Sequence, residues 1–401
     1  MKEYNWKSVI SRFLSAQTIS LFGSAIVQYA IVWYITLTTS SGKMLTISTL
    51  CGFLPQVIIS PFAGVWTDRY NRKKMVMLSD TLIAVSTLLL ALSFLAGYKN
   101  IWLLFTVLII RSAGTGLQTP AVNAIIPQMV PTERLMKING INSTLSSIIM
   151  FISPAVSGAI LSVASLETTL LIDVVTAVIG VGITATIAIK PYQKELLNEK
   201  SYLEKMKEAF GYLKENRIIK RVLIFQLVIL FLISPSAFLT PLMVSRSFGN
   251  EIWRLTASEM TYSLGMILGG LIIASWGGFQ KKLNTTLLAG AFYGILMIGL
   301  GAAPAFWLYL ICNAWIGVTS PCYNAPITVT IQEKVKPEMH GRIFSLMQIA
   351  TSCALPLGMV VFGPLADQIS IQMLFVISGS VVGLLSAYVY LTSFLEKDLS
   401  S

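Results

Sequence analysis

A short, basic stretch between two long apolar runs has the sequence Gly64-Val65-Trp66-Thr67-Asp68-Arg69-Tyr70-Asn71-Arg72-Lys73-Lys74. The runs on either side, residues 44–66 and 75–97, each supply the roughly 20 mostly apolar residues that a helix needs to cross a bilayer. Four residues of the stretch are Arg or Lys. Because Lys and Arg concentrate in the cytoplasmic loops of membrane proteins, the stretch predicts a cytoplasmic loop between two transmembrane helices.

The composition of the whole chain is typical of a membrane protein. Of its 401 residues, 55% are hydrophobic and only 12% are charged, whereas soluble domains carry roughly 25% charged residues. The lipid bilayer is therefore the expected solvent for most of the chain. The net charge of +11 does not indicate a nucleic-acid partner, because the basic residues stand in short segments between apolar runs.

Apolar runs long enough to span a bilayer recur along the whole sequence. Six precede a long polar stretch and six follow it, which predicts an all-α protein with twelve transmembrane helices. The first run is too long for a signal peptide. The predicted spans are residues 13–37, 44–66, 75–97, 101–123, 141–163, 168–189, 222–244, 257–277, 284–303, 306–329, 343–365 and 371–393.

The basic residues also predict how these helices are oriented. If both termini lie in the cytoplasm, 24 Lys and Arg residues fall on the cytoplasmic side and 4 on the other, while Arg111 lies inside a span. This asymmetry follows the positive-inside rule, and leaving out one span would scramble it. We therefore expect a multi-pass protein with both termini in the cytoplasm.

The predicted spans divide into two six-helix halves, residues 1–190 and 222–401. Between them, residues 191–221 form a linker in which apolar residues recur at helical spacing among lysines. This pattern indicates an amphipathic helix along the inner membrane surface, with a plain connection between the halves as the alternative. The apolar residues of this helix are Leu203, Met206, Phe210 and Leu213.

The two halves also resemble each other in sequence. The segment Gln118-Thr119-Pro120-Ala121-Val122-Asn123-Ala124 is similar to Thr319-Ser320-Pro321-Cys322-Tyr323-Asn324-Ala325, which lies 201 residues further on. Since an even number of spans gives both halves the same orientation, we expect them to be parallel repeats. In such folds the substrate site lies between the halves.

The stretch 64–74 resembles the cytoplasmic signature of the major facilitator superfamily, in which a Gly, three further residues and Asp-Arg are followed by Arg-Lys. Asn71 stands where the family often has Gly, and Asn also tolerates a left-handed turn. The resemblance implies a conformational latch, in which Gly64 permits close helix approach and Asp68 caps a facing helix or pairs with a cation. The alternative is a basic anchor that only sets the topology. The residues assigned to the latch are Gly64, Asp68, Arg69, Arg72 and Lys73.

Further segments resemble the macrolide-efflux branch of this superfamily over essentially the whole chain. They include Arg111-Ser112-Ala113-Gly114-Thr115-Gly116, Ser153-Pro154-Ala155-Val156, Ile172-Asp173-Val174 and Gly341-Arg342-Ile343-Phe344-Ser345. The resemblance implies a monomeric transporter of the bacterial plasma membrane that exports a drug or another amphipathic small molecule in exchange for protons. The family's Gly-Pro exporter motif is only partial here, as Ser153-Pro154 with Gly158.

Other classes of protein are weighed against this interpretation. An exporter of another metabolite, such as a siderophore, is the first alternative, and an uptake symporter is less favoured because the helix-4 carboxylates of such proteins are missing. No GxxxxGK[ST] motif is present, which argues against an ATP-driven pump. The four cysteines lie in apolar runs without CxxC spacing and His340 is the one histidine, so no metal site, cofactor or enzymatic activity is expected.

Ionisable residues inside spans are costly and are functional candidates by default. Asp173 is the best candidate for a proton carrier, and the family resemblance implies a part in proton coupling for Arg111. Asp80 is the third candidate, although structural pairing with the basic residues 69–74 is favoured for it. Asp367, in a short outer loop, is expected to be only solvated.

Polar and aromatic residues of the inner helices suit a cavity for a bulky, partly apolar substrate. Each of them also suits plain packing or an aromatic belt at the membrane interface. The candidate cavity residues are Gln28, Trp33, Gln226, Asn313, Tyr323 and Asn324.

Overall fold

The computed structural model describes residues 6–189, 202–336 and 339–391. Residues 190–201 of the predicted linker region lie outside these ranges. Within them the chain forms α-helices, one 3-10 helix (Thr132–Arg134) and no strand. The α-helices are α1 (Trp6–Thr39), α2 (Gly42–Arg69), α3 (Arg72–Leu95), α4 (Ile101–Met129), α5 (Leu135–Val163), α6 (Leu166–Thr186), α7 (Tyr202–Glu215), α8 (Arg217–Phe238), α9 (Thr240–Phe248), α10 (Ile252–Trp276), α11 (Lys282–Ala302), α12 (Phe306–Lys334), α13 (His340–Leu365) and α14 (Ile371–Leu391).

The described helices fall into two compact units. The first contains α1, the part of α2 from residue 47 onwards, and α3 to α6. The second contains residues 40–46 and α7 to α14. The first turn of α2 is thus part of the second unit. The predicted domain limits at residues 190 and 222 stay predictions.

Eleven helices of the described ranges are long and apolar enough to cross a membrane. The chain is therefore an all-helical, multi-pass membrane protein. These eleven helices match eleven of the twelve predicted spans. The twelfth predicted span, residues 306–329, lies on α12, which is 29 residues long but carries polar side chains along its length. The total of twelve spans stays a prediction.

The predicted span 222–244 is divided into two helices. Helix α8 ends at Phe238 and α9 begins at Thr240, with Pro241 in the first turn of α9. Proline has no N–H group to continue the hydrogen bonds of a preceding helix, and its ring crowds the carbonyl four residues earlier. The prediction of one continuous helix was wrong here, because Pro241 starts a new one.

Helices α10 and α12 approach each other closely through small residues. A Cβ atom at Gly265 would collide with the backbone of Ala314, and one at Gly269 would collide with the backbone of Val318. Glycines four residues apart allow membrane helices to pack with their backbones in contact. This packing fixes the positions of the polar side chains that α10 and α12 carry.

The predicted amphipathic helix corresponds to α7. Glu208 of α7 forms an ion pair with Arg342 of α13 at 2.6 Å, and Tyr212 and Leu213 pack against the hydrophobic core of the second unit. Phe210 is 54% exposed. Part of the apolar face of α7 therefore contacts its own unit, whereas the sequence pattern predicts contact with the membrane surface. The side chains of Leu203 and Met206 lie outside the described residues.

Candidate functional site

The two ionisable candidates of α4 and α6 form one buried ion pair. The guanidinium of Arg111 donates a hydrogen bond to Oδ2 of Asp173 and another to the backbone oxygen of Ser24 at 3.0 Å. The Ser24 hydroxyl donates to Oδ1 of Asp173 at 2.8 Å, and the Thr87 hydroxyl accepts from Arg111 at 2.6 Å. Arg111 is 5% exposed and Asp173 is fully buried.

This network joins four helices of the first unit, since Ser24 lies on α1, Thr87 on α3, Arg111 on α4 and Asp173 on α6. Burying two charges is costly, and the cost is met only where both are paired and hydrogen-bonded. Removing one partner leaves the other charge unpaired in the interior. The pair therefore holds the helices together, and any event that neutralises Asp173 changes what holds Arg111.

Asp80 of α3 sits in a second buried network of the first unit. Its Oδ1 atom accepts hydrogen bonds from Ser20 at 2.8 Å and from Gln118 at 2.7 Å. Its Oδ2 atom is buried and has no hydrogen-bond partner in the described part of the chain. The expected pairing of Asp80 with the basic residues 69–74 is wrong, because α3 directs this side chain toward α1 and α4.

Two of the basic residues of the stretch 64–74, Arg72 and Lys73, bind carbonyl groups of the first unit. Arg72 donates to the backbone oxygens of Thr67 at 2.9 Å and Ala124 at 2.7 Å. Lys73 donates to the backbone oxygens of Ala185 and Ile187 at 2.7 and 2.8 Å, at the end of α6. Since the C-terminal ends of helices favour positive charge, Arg72 stabilises the end of α2 through Thr67, and Lys73 stabilises the end of α6.

The structure adds two details about Gly64 and Asn71 of this stretch. A Cβ atom at Gly64 would meet no described atom within 4 Å, so no other described helix of the first unit approaches closely there. Asn71 has φ −67° rather than a left-handed conformation, and its side chain caps α3 by accepting from the Lys74 N–H at 3.2 Å. The side chains of Asp68 and Arg69 lie outside the described residues, and the latch stays a prediction.

The second unit contains a polar cavity of about 270 Å³. Three of the six predicted cavity residues line it, namely Asn313, Tyr323 and Asn324. Asn313 is held in place because its side-chain amide donates to the backbone oxygen of Ser258 at 2.7 Å. The cavity is enclosed mainly by α8, α10, α11 and α12.

The other three predicted cavity residues are not among those that line this cavity. Trp33 is 1% exposed and packs against Tyr29 with ring centroids 5.7 Å apart, so it is a packing residue of α1. Gln226 is buried, and its side-chain oxygen has no partner in the described part of the chain. Gln28 is half-buried on α1.

Sequence reasoning missed Glu259, which lines the same cavity together with Tyr262 and Tyr293. The predicted span began at residue 257, which placed Glu259 at the membrane surface. Helix α10 instead begins at Ile252, so Glu259 lies about two helical turns inside it. Glu259 could have been identified from the sequence by the general rule that a carboxylate inside the membrane is a functional candidate.

Asp367 is bound on several sides within the second unit, so the expectation that it is only solvated is wrong. The backbone N–H groups of Gly42 and Lys43 donate to its carboxylate at 2.7 and 2.9 Å. The Ser41 hydroxyl donates at 2.8 Å. Arg246 forms an ion pair with it, also at 2.8 Å. Asp367 therefore caps the N-terminus of α2, where a negative charge is favourable.

The pKa of Asp367 responds to opposing influences. Partial burial alone would raise the pKa of this carboxyl, but the N–H groups of Gly42 and Lys43, the Ser41 hydroxyl and Arg246 outweigh it and hold the pKa below the ordinary 3.8. A carboxyl with a lower pKa in the folded protein stabilises it at pH values above the unfolded pKa. That stability is lost only as the pH falls through the lowered value.

We expect Asp367→Asn to lower the free energy of unfolding by about 1–2 kcal/mol, because charge-assisted hydrogen bonds at a helix N-terminus are lost. Thermal unfolding of the purified protein at a series of pH values measures this. The difference from the unaltered protein should be constant near neutral pH and shrink only below about pH 4. The control is Glu251→Gln, which breaks the exposed pair with Arg254. Equal stability of the two variants would refute the capping role.

Comparison with known proteins adds independent findings. The model of the Major Facilitator Superfamily matches residues 13–352. The chain is 33% identical over 387 residues to Macrolide efflux protein A of Streptococcus pyogenes, covering 95% of each chain. It is also 33% identical over 323 residues to Macrolide efflux protein A of Enterococcus faecalis, covering 80% of this chain and 99% of that protein.

Other relatives and solved structures are less similar to this chain in sequence. The Staphyloferrin A transporter of Staphylococcus aureus is 22% identical over 370 residues, with 92% of each chain covered. The crystal structure of a bacterial homologue of the human lysosomal transporter Spinster, in an inward-facing and unoccupied conformation, superimposes with a TM-score of 0.72 at 15% identity and 99% coverage of both chains. The nucleoside transporter NupG superimposes with a TM-score of 0.69 at 16% identity, covering 97% of this chain and 99% of that one. Because their sequence identity to this chain is low, these two structures support the assignment of the fold only.

Proposed function

Because the chain belongs to the major facilitator superfamily, we propose that it exports a macrolide-like drug or another amphipathic small molecule across the bacterial plasma membrane. The observation that carries the proposal is the 33% identity to macrolide efflux proteins over 95% of the chain. The chain is then a transporter of small molecules and not an enzyme. We further propose that export is driven by proton antiport and proceeds by alternating access.

The buried pair of Arg111 and Asp173 is the proposed coupling site. An arginine keeps its proton, so the carboxyl of Asp173 is the group that would take one up. Protonation removes the charge that holds Arg111, and the two protonation states then favour different packing of α1, α3, α4 and α6. Asp80 is the second candidate, since its Oδ2 atom is buried without a partner among the described residues.

We also propose that the protein acts as a monomer with both termini in the cytoplasm. The support for the orientation is the excess of Lys and Arg on the proposed cytoplasmic side, 24 against 4. A cysteine in place of Lys281, in a protein whose four native cysteines are replaced by serine, should react with an impermeant reagent only from the cytoplasm. Reaction from outside would refute the orientation.

An exporter of a different metabolite is the second candidate function. The similarity to the Staphyloferrin A transporter, at 22% identity, favours a siderophore as the alternative cargo. An uptake symporter is the least favoured, since no further observation supports it.

A susceptibility and efflux panel tests the proposed function. The protein is produced in a bacterium that lacks its own drug exporters, and the intracellular accumulation of radiolabelled erythromycin and of an iron-free siderophore is followed. We expect several-fold lower erythromycin accumulation and a matching rise in the inhibitory concentration. Both effects should disappear when a protonophore collapses the proton gradient. Export of the siderophore but not of erythromycin would favour the second function instead.

A further inference from the structure

A carboxylate of the second unit lies in the polar cavity without a partner of opposite charge. Glu259 lines this cavity, and no hydrogen bond or ion pair holds its carboxylate within the described part of the chain. No Lys, Arg or His is among the described residues that line the cavity. An unpaired carboxylate inside a membrane protein is costly, and such groups mark ion or substrate pathways.

A second polar group in the same cavity also lacks a partner. Tyr323 is 4% exposed, and its hydroxyl has no hydrogen-bond partner in the described ranges. Buried polar groups are nearly always hydrogen-bonded, so an orphaned hydroxyl on a residue that lines the cavity calls for an explanation. The carboxylate of Glu259 on α10 and the buried hydroxyl of Tyr323 on α12 are therefore two unsatisfied groups on residues that line one cavity.

Three tyrosines contribute to the wall of the cavity. Tyr262 of α10 and Tyr293 of α11 line the cavity next to Tyr323 of α12. Aromatic faces attract organic cations, and the attraction grows when water is excluded. A carboxylate without a cationic partner, in a cavity that tyrosines help to line, repels anions and favours a positively charged group with apolar substituents.

We propose that this cavity binds the amine group of an amphipathic organic cation, with Glu259 as its counter-ion and tyrosine rings as its wall. The inference rests on the proposed function, because it names the class of substrate that the exporter recognises. A volume of about 270 Å³ accommodates an alkylated ammonium group and one adjoining ring. The rest of a larger substrate must therefore lie outside the cavity.

Direct binding to the purified protein tests this inference. The probe is benzyltrimethylammonium, whose charge does not change with pH, and the uncharged comparison ligand is benzyl methyl sulfone. Their dissociation constants are measured by isothermal titration calorimetry in the absence of any proton gradient. We expect the unaltered protein to bind the cation more tightly than the sulfone.

In the Glu259→Gln variant we expect affinity for the cation to fall about thirtyfold or more, the size found when one partner of a desolvated charge pair is removed. Affinity for the sulfone should stay the same. Glu259→Asp should retain part of the preference for the cation. The matched control is Glu333→Gln, which removes an exposed carboxylate of α12 and should leave both affinities unchanged.

The outcomes separate this inference from the proposed function. Equal binding of the cation by the unaltered protein and the Glu259→Gln variant overturns the inference, even if erythromycin is exported. Loss of cation binding in that variant, without any drug export by the unaltered protein, supports the cation site and overturns the export function. A preference of the unaltered protein for the sulfone would also overturn the cation site.

Discussion

Asp173→Asn is expected to abolish export of the substrate against its gradient. Asparagine has nearly the size of aspartate but carries no charge and takes up no proton at physiological pH. If Asp173 carries the coupling proton, the pH difference across the membrane can no longer drive export by the variant. Efflux from preloaded cells at several external pH values measures this, and the rate in the variant should no longer depend on pH.

The same substitution also disturbs the fold, and this effect needs its own measurement. The amide oxygen introduced by Asp173→Asn would still accept from the Ser24 hydroxyl, but Arg111 would be left as a buried charge without its partner. Removing one member of a buried pair costs about 3–5 kcal/mol. The amount of protein in the membrane must therefore be determined alongside transport.

A variant that removes both charges separates folding from coupling. Arg111→Met combined with Asp173→Leu leaves no unpaired charge, and replacing a buried pair by apolar groups of similar volume is often neutral for stability. We expect the double variant to reach near-normal membrane levels but not to drive export with a proton gradient. Coupled export by the double variant would show that the pair is structural only.

Asp80→Asn is the matched control within the first unit. The substituted side chain keeps an oxygen that accepts from Ser20 and Gln118. No cation is left unpaired, since Asp80 has no basic partner among its described contacts. We expect folding and pH-dependent export to persist in this variant. If Asp80→Asn abolishes the pH dependence and Asp173→Asn does not, the proton carrier is Asp80.

Hydropathy and loop charge predict the helices of this protein well. Every span must supply enough apolar residues to cross the lipid bilayer, and the loops between spans carry the basic residues. They do not predict which side chains meet. Arg111 and Asp173 were both singled out as costly intramembrane charges, but their pairing depends on how α4 packs near α6. Likewise, the position of Asp367 in a loop was predicted, whereas its partners near residue 42 lie more than 300 residues away in sequence.

Small errors in helix boundaries account for other differences. A start at residue 257 instead of Ile252 moved Glu259 from the interior to the membrane surface, and so hid a cavity residue. The role of Asn71 could not be predicted for a related reason. Its residue type suits both a left-handed turn and a helix cap, and only the position where α3 begins selects the cap.

Asp68→Asn is expected to reduce transport strongly without weakening the fold. Asp68 belongs to the last turn of α2, which ends at Arg69. A negative charge near the C-terminus of a helix is unfavourable by about 0.3–1 kcal/mol. Removing this charge should therefore leave the amount of protein in the membrane near normal, and measuring that amount distinguishes a loss of transport from misfolding.

If the stretch 64–74 acts as a latch, the charge of Asp68 must favour one conformation of the protein over another. Removing that charge should therefore slow transport. Differences of this kind typically correspond to factors of about 5–150 in an equilibrium. We therefore expect export to fall by about an order of magnitude, at the low end of that range. Initial rates of erythromycin efflux, normalised to the amount of protein in the membrane, measure this.

Lys74→Gln is the matched control for this prediction. Lys74 is exposed and lies in the same loop, so the variant also removes one charge from it while leaving Arg72 and Lys73 on their carbonyl partners. If the loop is only a basic anchor, Lys74→Gln should matter at least as much as Asp68→Asn, since only the former removes a positive charge. If it is a latch, only Asp68→Asn should slow export, and normal export by that variant would refute the latch.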